Sequence, residues 1–320
     1  MTAPAGTLPE PGSAAIPAGR PERATRSRRP GWSARRRRLG AAVLTLPAWV
    51  LLLTLFAVPI AVGVYLSFRN EAIGSFARGR FVGFSNFRRD VFTSTFYDAV
   101  KTTAVIALMG LAIQLPAGIG LALLLHRNLR GTRFFRSALL IPMLLTPVAV
   151  GIMWRFMLDS DLGVMNWLLQ TVGLGHVDWL GDQHSAVVAI VLVDSWQAIP
   201  FVMLLTLAGL AGLPESPMEA ARVDGGSAWQ TFWFVTFPML RPVLYVILMI
   251  RVIDAAKLFD IIFILTRGGP GTATQTVGLL DYNTGFNFLQ ISRAAAIGVV
   301  LAVFTIPVYL LWTRAVRANK

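Results

Sequence analysis

Four stretches of this sequence run for about the width of a lipid bilayer without a single charged side chain. Residues 39–68 carry none over 30 positions, 102–125 none over 24, 137–154 none over 18 and 294–313 none over 20. A hydrocarbon core of ~30 Å takes roughly 20 residues of helix, so each run has the length of a span. Two further apolar stretches, 186–213 and 242–266, are as long but contain ionisable residues. In lipid the backbone must satisfy its own hydrogen bonds, so the spans are read as helices. The expectation is an all-α integral membrane protein with six transmembrane helices: 39–68, then about 99–126, 133–157, 185–212, 240–266 and 291–314. The remaining pieces, chiefly an external loop over 69–97 and a polar cassette over 214–242, are too short for a separate soluble enzyme domain.

Lys and Arg in the short loops set the orientation. The N-terminal tail holds nine Arg, including the run 35–38, and the connector between the second and third spans has Arg127, Arg130, Arg133 and Arg136. Arg314, Arg317 and Lys320 end the chain, and all of these fall on one side if six helices alternate. The connector over 159–182 has four Asp and no Lys or Arg, as an external loop should. Arg69, Arg78, Arg80, Arg88 and Arg89 in the first external loop run against the rule, but the majority places both termini and the 214–242 cassette in the cytoplasm of a multi-pass protein of the cell (inner) membrane. The net charge of +13 is then mostly topological, and no nucleic-acid partner is expected. Residues 1–38, rich in Pro, Ala, Gly, Ser and Arg, read as a disordered basic cytoplasmic tail rather than a cleavable signal. With no Cys, disulfide and thiol chemistry are excluded.

The cassette reads as two short helices. Ser216 is a suitable N-cap, Pro217 fits the first helical position, and Glu219 stands where a capping box would bring it back to the cap. A helix is predicted from Pro217 to about Asp224. Gly225 and Gly226 can take the positive φ that ends it, and Ser227 with Gln230 repeats the cap-plus-three pattern for a second helix. Pro238 and Pro242 are expected to mark re-entry into the bilayer.

At these residues the chain resembles a known family. Glu219-Ala220-Ala221, Gly225 and Val235-x-Phe237-Pro238 match the spacing of the EAA loop of type I ABC importer permeases, with Gly226 where Ala is usual, a departure expected to loosen the turn. Residues 81–87, Phe-Val-Gly-Phe-Ser-Asn-Phe, and 259–270, ending Leu-Thr-Arg-Gly-Gly-Pro, are similar to segments of the carbohydrate permeases related to those for maltose, trehalose and glycerol phosphate. The resemblance covers residue 40 to the end and implies an ABC transmembrane type-1 domain over 98–316. It further implies that the cassette docks on a cytoplasmic ATPase, with Glu219, Ala220, Ala221, Asp224 and Gly225 as coupling residues. The implied partners are a second permease in a heterodimer, two ATPase copies that bind the ATP, an external solute-binding protein, membrane lipid and a sugar. ATP binding would close the ATPases, move the EAA loops and turn the pore outward.

The fifth span carries Arg251, Asp254, Lys257 and Asp260, where each charge costs at least ~2.5 kcal/mol at the bilayer centre unless paired or facing a cavity. At ~100° per residue, Arg251 shares a sector with Asp254, and Lys257 with Asp260 on roughly the opposite one. Arg251 and Asp254 lie at mid-depth and are candidates either for solute contact or for internal pairing, whereas Lys257 and Asp260 read as an internal pair. On the fourth span Asp194, Trp196, Gln197 and Phe201 combine hydrogen-bonding groups with flat apolar surface, which suits a sugar, and Pro200 would bend the helix nearby. Gln197 and Phe201 join Arg251 and Asp254 as the candidate substrate pathway, since in the resembling family the fourth and fifth helices flank the sugar path.

No catalytic residues, resident cofactor or metal site are expected. Lys101, Lys257 and Lys320 follow Val, Ala and Asn, so there is no P-loop lysine and the chain is not the ATPase. His126, His176 and His184 have no metal-ligand spacing. The readings that compete with a sugar permease are an ABC permease for another solute, a self-sufficient secondary transporter, which would have no need of the cassette, and a membrane scaffold, which would not need Arg251 and Asp254.

Overall fold

The computed structural model describes residues 44–71, 79–127 and 131–318. The basic tail with its 35–38 Arg run, the start of the first apolar run, Arg78, Arg130 and Lys320 lie outside the described residues. The chain divides into two units, 1–57 and 58–320. In the first, residues 44–57 are helical and include a π turn over Leu53–Ala57.

The second unit opens with helix α1 (Val58–Ser67), followed by the two-residue antiparallel strands β1 (Arg69–Asn70) and β2 (Arg80–Phe81), in which Arg69 faces Phe81. The Phe-Val-Gly-Phe-Ser-Asn-Phe segment plugs the end of α1. Gly83 turns the chain at φ 54°, and α2 (Ser85–Asp90) buries Asn86, whose Nδ2 donates to the carbonyls of Ser67 at 2.9 Å and Arg69 at 2.6 Å. Carbonyls freed at a helix end need such partners where water is scarce. Phe68 meets Phe84 edge-on with ring centres 5.3 Å apart.

Helix α3 (Ser94–His126) starts at a Thr93 cap and buries one stripe: Ile106, Gly110, Gln114, Gly118 and Ala122, each four residues on. This i+4 ridge is the surface helices use to pack into one another's grooves. It lies against α7 (Gln183–Ala211), which is buried along much of its length. Gly118 permits the closest approach: a Cβ there would stand 2.5 Å from the Cβ of Val202. Asp182 caps α7 by accepting from the N–H groups of His184 and Ser185, and the Ser185 bond holds its carboxyl below the usual carboxylate range.

Two expected spans are broken. The single helix expected over 133–157 is α4 (Thr132–Leu144) and α5 (Pro147–Met157), bent by 97° between them. Thr146 caps α5 through the N–H of Ala149, and Pro147, lacking an N–H, starts the new helix. A short α6 (Val164–Thr171) follows. The single helix expected over 240–266 ends at Ala256. In the cassette, α8 (Ser216–Val223) is followed by α9 (Ala228–Thr231), a π turn over Phe232–Thr236 and α10 (Phe237–Ala256). Residues 228–256 are therefore helical without interruption, so Pro238 and Pro242 do not separate cassette from span. The π register, in which the N–H of Phe237 bonds the carbonyl of Phe232, precedes Pro238 and absorbs its missing N–H. Beyond a break at 257–259 come α11 (Asp260–Leu265), α12 (Val277–Tyr282), a π turn over Asn283–Asn287 and α13 (Ile291–Ala318).

Among the described residues, Leu44–Ser67, Ser94–His126 and Gln183–Ala211 are long and apolar enough to cross a membrane, with a fourth span if the bent pair is one. Gly118→Val should lower stability by about 1–3 kcal/mol through overpacking against Val202. Gly120→Ala, whose Cβ meets nothing within 4 Å, should not lower it. Thermal unfolding of the detergent-solubilised protein reads both.

Candidate functional site

Two polar features stand out in this apolar chain, the cassette and a cluster around Arg251, joined by the uninterrupted helix over 228–256. In the cassette the second helix is capped as its sequence dictates. The Ser227 hydroxyl accepts from the N–H of Gln230 at 3.3 Å, and the Gln230 side chain accepts from the N–H of Ser227 at 2.9 Å, a complete capping box. The first helix differs from expectation. Glu215 already has helical φ and ψ, and its carbonyl accepts from the N–H groups of Met218 and Glu219 at 3.0 Å. Ser216 is thereby the first helical residue, no side-chain cap bond forms there, and the expected Ser216–Glu219 capping box is absent. Glu219 is left exposed, as are Ala220, Asp224 and Gly225, with Ala221 half-buried.

The turn between the helices is a Schellman closure. The Gly225 N–H bonds the Arg222 carbonyl at 3.1 Å, the Gly226 N–H bonds the Ala221 carbonyl at 2.9 Å, and Gly225 supplies the left-handed φ of 81°. Gly226 has an ordinary φ, and a Cβ on it would come 2.7 Å from the Ala221 carbonyl oxygen. Gly226 therefore lets the turn close instead of loosening it. The two helices frame a shallow cleft of about 340 Å³ between Ala221, Asp224, Gln230 and Phe234. Trp229, Phe232, Trp233 and Phe237 form a chain of ring contacts at the foot of the long helix, with Arg241 over Phe237.

At the other end of that helix, Arg251 is 8% exposed. Its Nη2 donates to Asp194 Oδ2 on α7 at 3.0 Å, and its Nε to Gln114 Oε1 on α3 at 3.0 Å. Gln114 Nε2 donates back to the same Asp194 oxygen at 2.7 Å, closing a ring of three side chains from three helices. Gly110 leaves room for it, since a Cβ there would lie 3.0 Å from Gln114 Nε2. Asp254 makes the looser contact, 3.6 Å from Arg251 Nη1, with half of its side chain exposed. Removing one member of a buried ion pair costs about 3–5 kcal/mol in soluble proteins, because the survivor keeps an uncompensated charge.

The structure brings together Arg251 and Asp254 as their spacing predicted, and adds Asp194 and Gln114. Gln114 was not among the candidates. The signal was available: it is the one amide side chain in the charge-free run 102–125, on the period-four stripe. Gln197 lies on the same face of α7 as Asp194, three residues on, but its amide donates to the Leu145 carbonyl at 2.9 Å, at the bend between α4 and α5. Phe201 is half-buried one turn further. Trp196 meets Trp154 of α5 edge-on at 5.7 Å. The expected Lys257–Asp260 pair is not formed among the described residues. The helix stops at Ala256, α11 starts at Asp260, and both side chains are exposed, so three-residue spacing no longer puts them on one face. An apolar groove of about 760 Å³ lies between α1, α12 and α13 and includes none of these candidates.

Long apolar helices, with an exposed polar cassette continuous with the helix of the buried Arg251, are what a membrane transport subunit needs. The profile of the family described as "Binding-protein-dependent transport system inner membrane component" matches residues 114–318. The chain belongs to that family. It is 36% identical over 284 residues to the probable ABC transporter permease protein y4oQ of Sinorhizobium fredii, covering 87% of this chain and 92% of the relative. It is 32% identical over 278 residues to the trehalose/maltose transport system permease protein MalF of Thermococcus litoralis, covering 87% and 94%. Among solved structures, a chain of a bacterial ABC transporter involved in the import of the acidic polysaccharide alginate shares the fold, with a TM-score of 0.77 at 22% identity over 90% of this chain and 98% of that one.

Ser227→Ala should remove the capping box and about 1 kcal/mol of local stability, while Ser216→Ala should remove nothing. Amide hydrogen exchange at Gln230 and Thr231 should speed up in the first variant only.

Proposed function

We propose that this chain is one of two permease subunits of an ATP-driven, binding-protein-dependent sugar importer and carries solute inward across the cell membrane. The observation that carries the reading is the exposed cassette, whose Glu219, Ala220, Asp224 and Gly225 are exposed while its second helix continues without a break into the helix that holds Arg251. The named relatives for trehalose/maltose, sulfoquinovosyl glycerol and sn-glycerol-3-phosphate support a carbohydrate or polyol solute. On this reading six spans cross the membrane, with 133–157 as one broken span and 240–266 as another, and with the tail 1–38, the cassette and both termini in the cytoplasm. The external loop 69–97 and the domain 98–316 keep their places in that topology.

The chain has no ATPase site of its own in this account. Two copies of a cytoplasmic ATPase bind the ATP, a second permease completes the pore, and an external binding protein delivers the sugar. Glu219, Ala220, Ala221, Asp224 and Gly225 form the docking surface, with Gly225 fixing the turn and the carboxylates giving it negative charge. For the solute path, Asp254 is the best placed of the four candidates, because its side chain is half exposed and only loosely held by Arg251. Gln197 and Phe201 lie on the neighbouring helix, and Arg251, with two of its donors already spent, acts on solute through Asp254.

Glu219→Lys combined with Gly225→Asp should abolish co-purification of the ATPase and binding-protein-driven uptake of trehalose or maltose. Asp254→Ala should leave the complex assembled but alter uptake. Unchanged co-purification and uptake in the double variant would refute the coupling role, and unchanged uptake kinetics in Asp254→Ala would remove Asp254 from the path.

A further inference from the structure

The charges around Arg251 do not balance, and the imbalance has a sign. One guanidinium stands against two carboxylates, Asp194 and Asp254, while Gln114 is neutral, so the cluster is negative by one unit. Burial decides where that charge is felt. Arg251 and Asp194 keep 10% and 13% of their side chains exposed, against 50% for Asp254. The positive charge is sequestered, and the surplus negative one is presented to the surroundings.

Arg251 has little left to offer an anion. Its Nε and Nη2 are spent on Gln114 and Asp194, and its Nη1 faces Asp254 Oδ2 at 3.6 Å. The Gln114 amide is spent likewise, since it donates to Asp194 and, at 3.3 Å, to the Ser195 hydroxyl. An anion reaching for Nη1 would have to displace a carboxylate that stands three residues away on the same helix face and cannot diffuse off. Asp254, by contrast, has capacity to spare. The contact with Arg251 is the only polar one its side chain makes among the described residues, which leaves an ionised carboxylate with room for several donors. Hydroxyl groups are such donors, and hydrogen bonds to an ionised acceptor are the stronger kind. Lys257 and Asp260, both exposed at the break beyond α10, add one charge of each sign and leave the balance where it was.

We propose that Asp254 sets the charge class of the solute: the path accepts an uncharged polyhydroxyl compound, whose O–H groups donate to this carboxylate, and turns away phosphorylated, sulfonated and uronic sugars. This rests on the reading of the chain as a sugar permease with Asp254 on the solute path. Two like charges about 6 Å apart are disfavoured by roughly 100-fold at the effective dielectric of a partly buried site. An anionic sugar would meet that penalty and gain no free cation in return.

The purified complex with its partner subunits, trapped by Mg-ATP and orthovanadate and without the binding protein, is titrated with trehalose and with trehalose 6-phosphate. Saturation-transfer NMR of the sugar protons gives each Kd. Trehalose should bind about 100-fold more tightly, and the gap should narrow as ionic strength rises. In Asp254→Asn, which keeps the shape and removes the charge, the gap should close by about tenfold or more through tighter binding of the phosphate, whereas Asp260→Asn should leave it as it is. Equal Kd values in the parent protein, or a gap that persists in Asp254→Asn, would overturn the charge role and leave the sugar permease standing. Closure of the gap by Asp260→Asn would move the selectivity to the break and overturn it too. If trehalose, maltose and glycerol all fail to bind a complex that hydrolyses ATP before trapping, the sugar-permease reading fails, and the charge role with it.

Discussion

A guanidinium group buried among apolar helices is the constraint around which the rest of this structure is arranged. Arg251 cannot be left unpaired in an apolar environment, and a single carboxylate would satisfy only part of its five-donor fork. The fold answers with one acceptor from each of two neighbouring helices, Asp194 and Gln114. Meeting that need fixes the rotation of α3, α7 and α10 about their own axes. It also explains why α3 carries Gly110 and Gly118 on either side of Gln114, since the ring forms only if the helices come close.

The cassette depends on the same helix. A coupling element attached by a flexible linker could dock on a partner without moving anything. Here the second cassette helix is capped at Ser227, meets Pro238 through a π turn, continues through Pro242 and ends beyond Arg251. At ~1.5 Å per residue the path from Ala228 to Arg251 is roughly 35 Å of uninterrupted helix. The first cassette helix is held by a Schellman turn, a backbone device, so its side chains remain free for recognition.

Much of this was legible in the sequence where the determinant is local. Ser227 with Gln230, and Gly225 in the turn, carry their structural meaning within a few residues. The charge-free run 102–125 and the nearly uncharged 186–211 do form single helices, even with Pro116 and Pro200 inside them. The Arg251–Asp254 contact follows from spacing alone. Features set by distant partners were not legible. No glycine or proline marks the break at 257–259, which is stabilised by Thr276 from further along the chain. Ser216 looks like a cap, but Glu215 takes the helical conformation first. Gln114 is neutral, so a search for charges in spans passes over it. The bend at 145–146 is an intermediate case: Pro142, Thr146 and Pro147 signal it locally, but the length of the apolar run suggests one span.

The central claim is that a cassette on the cytoplasmic face takes up the work of a separate ATPase. A single cysteine at Val223, a side chain 87% exposed at the end of the first cassette helix, tests it most directly in a chain with no other thiol. The account predicts that a membrane-impermeant maleimide labels this cysteine in inside-out vesicles and not in intact cells. It also predicts that co-assembled ATPase protects the cysteine from the label. Labelling from the outer face, or labelling indifferent to the ATPase, would contradict it.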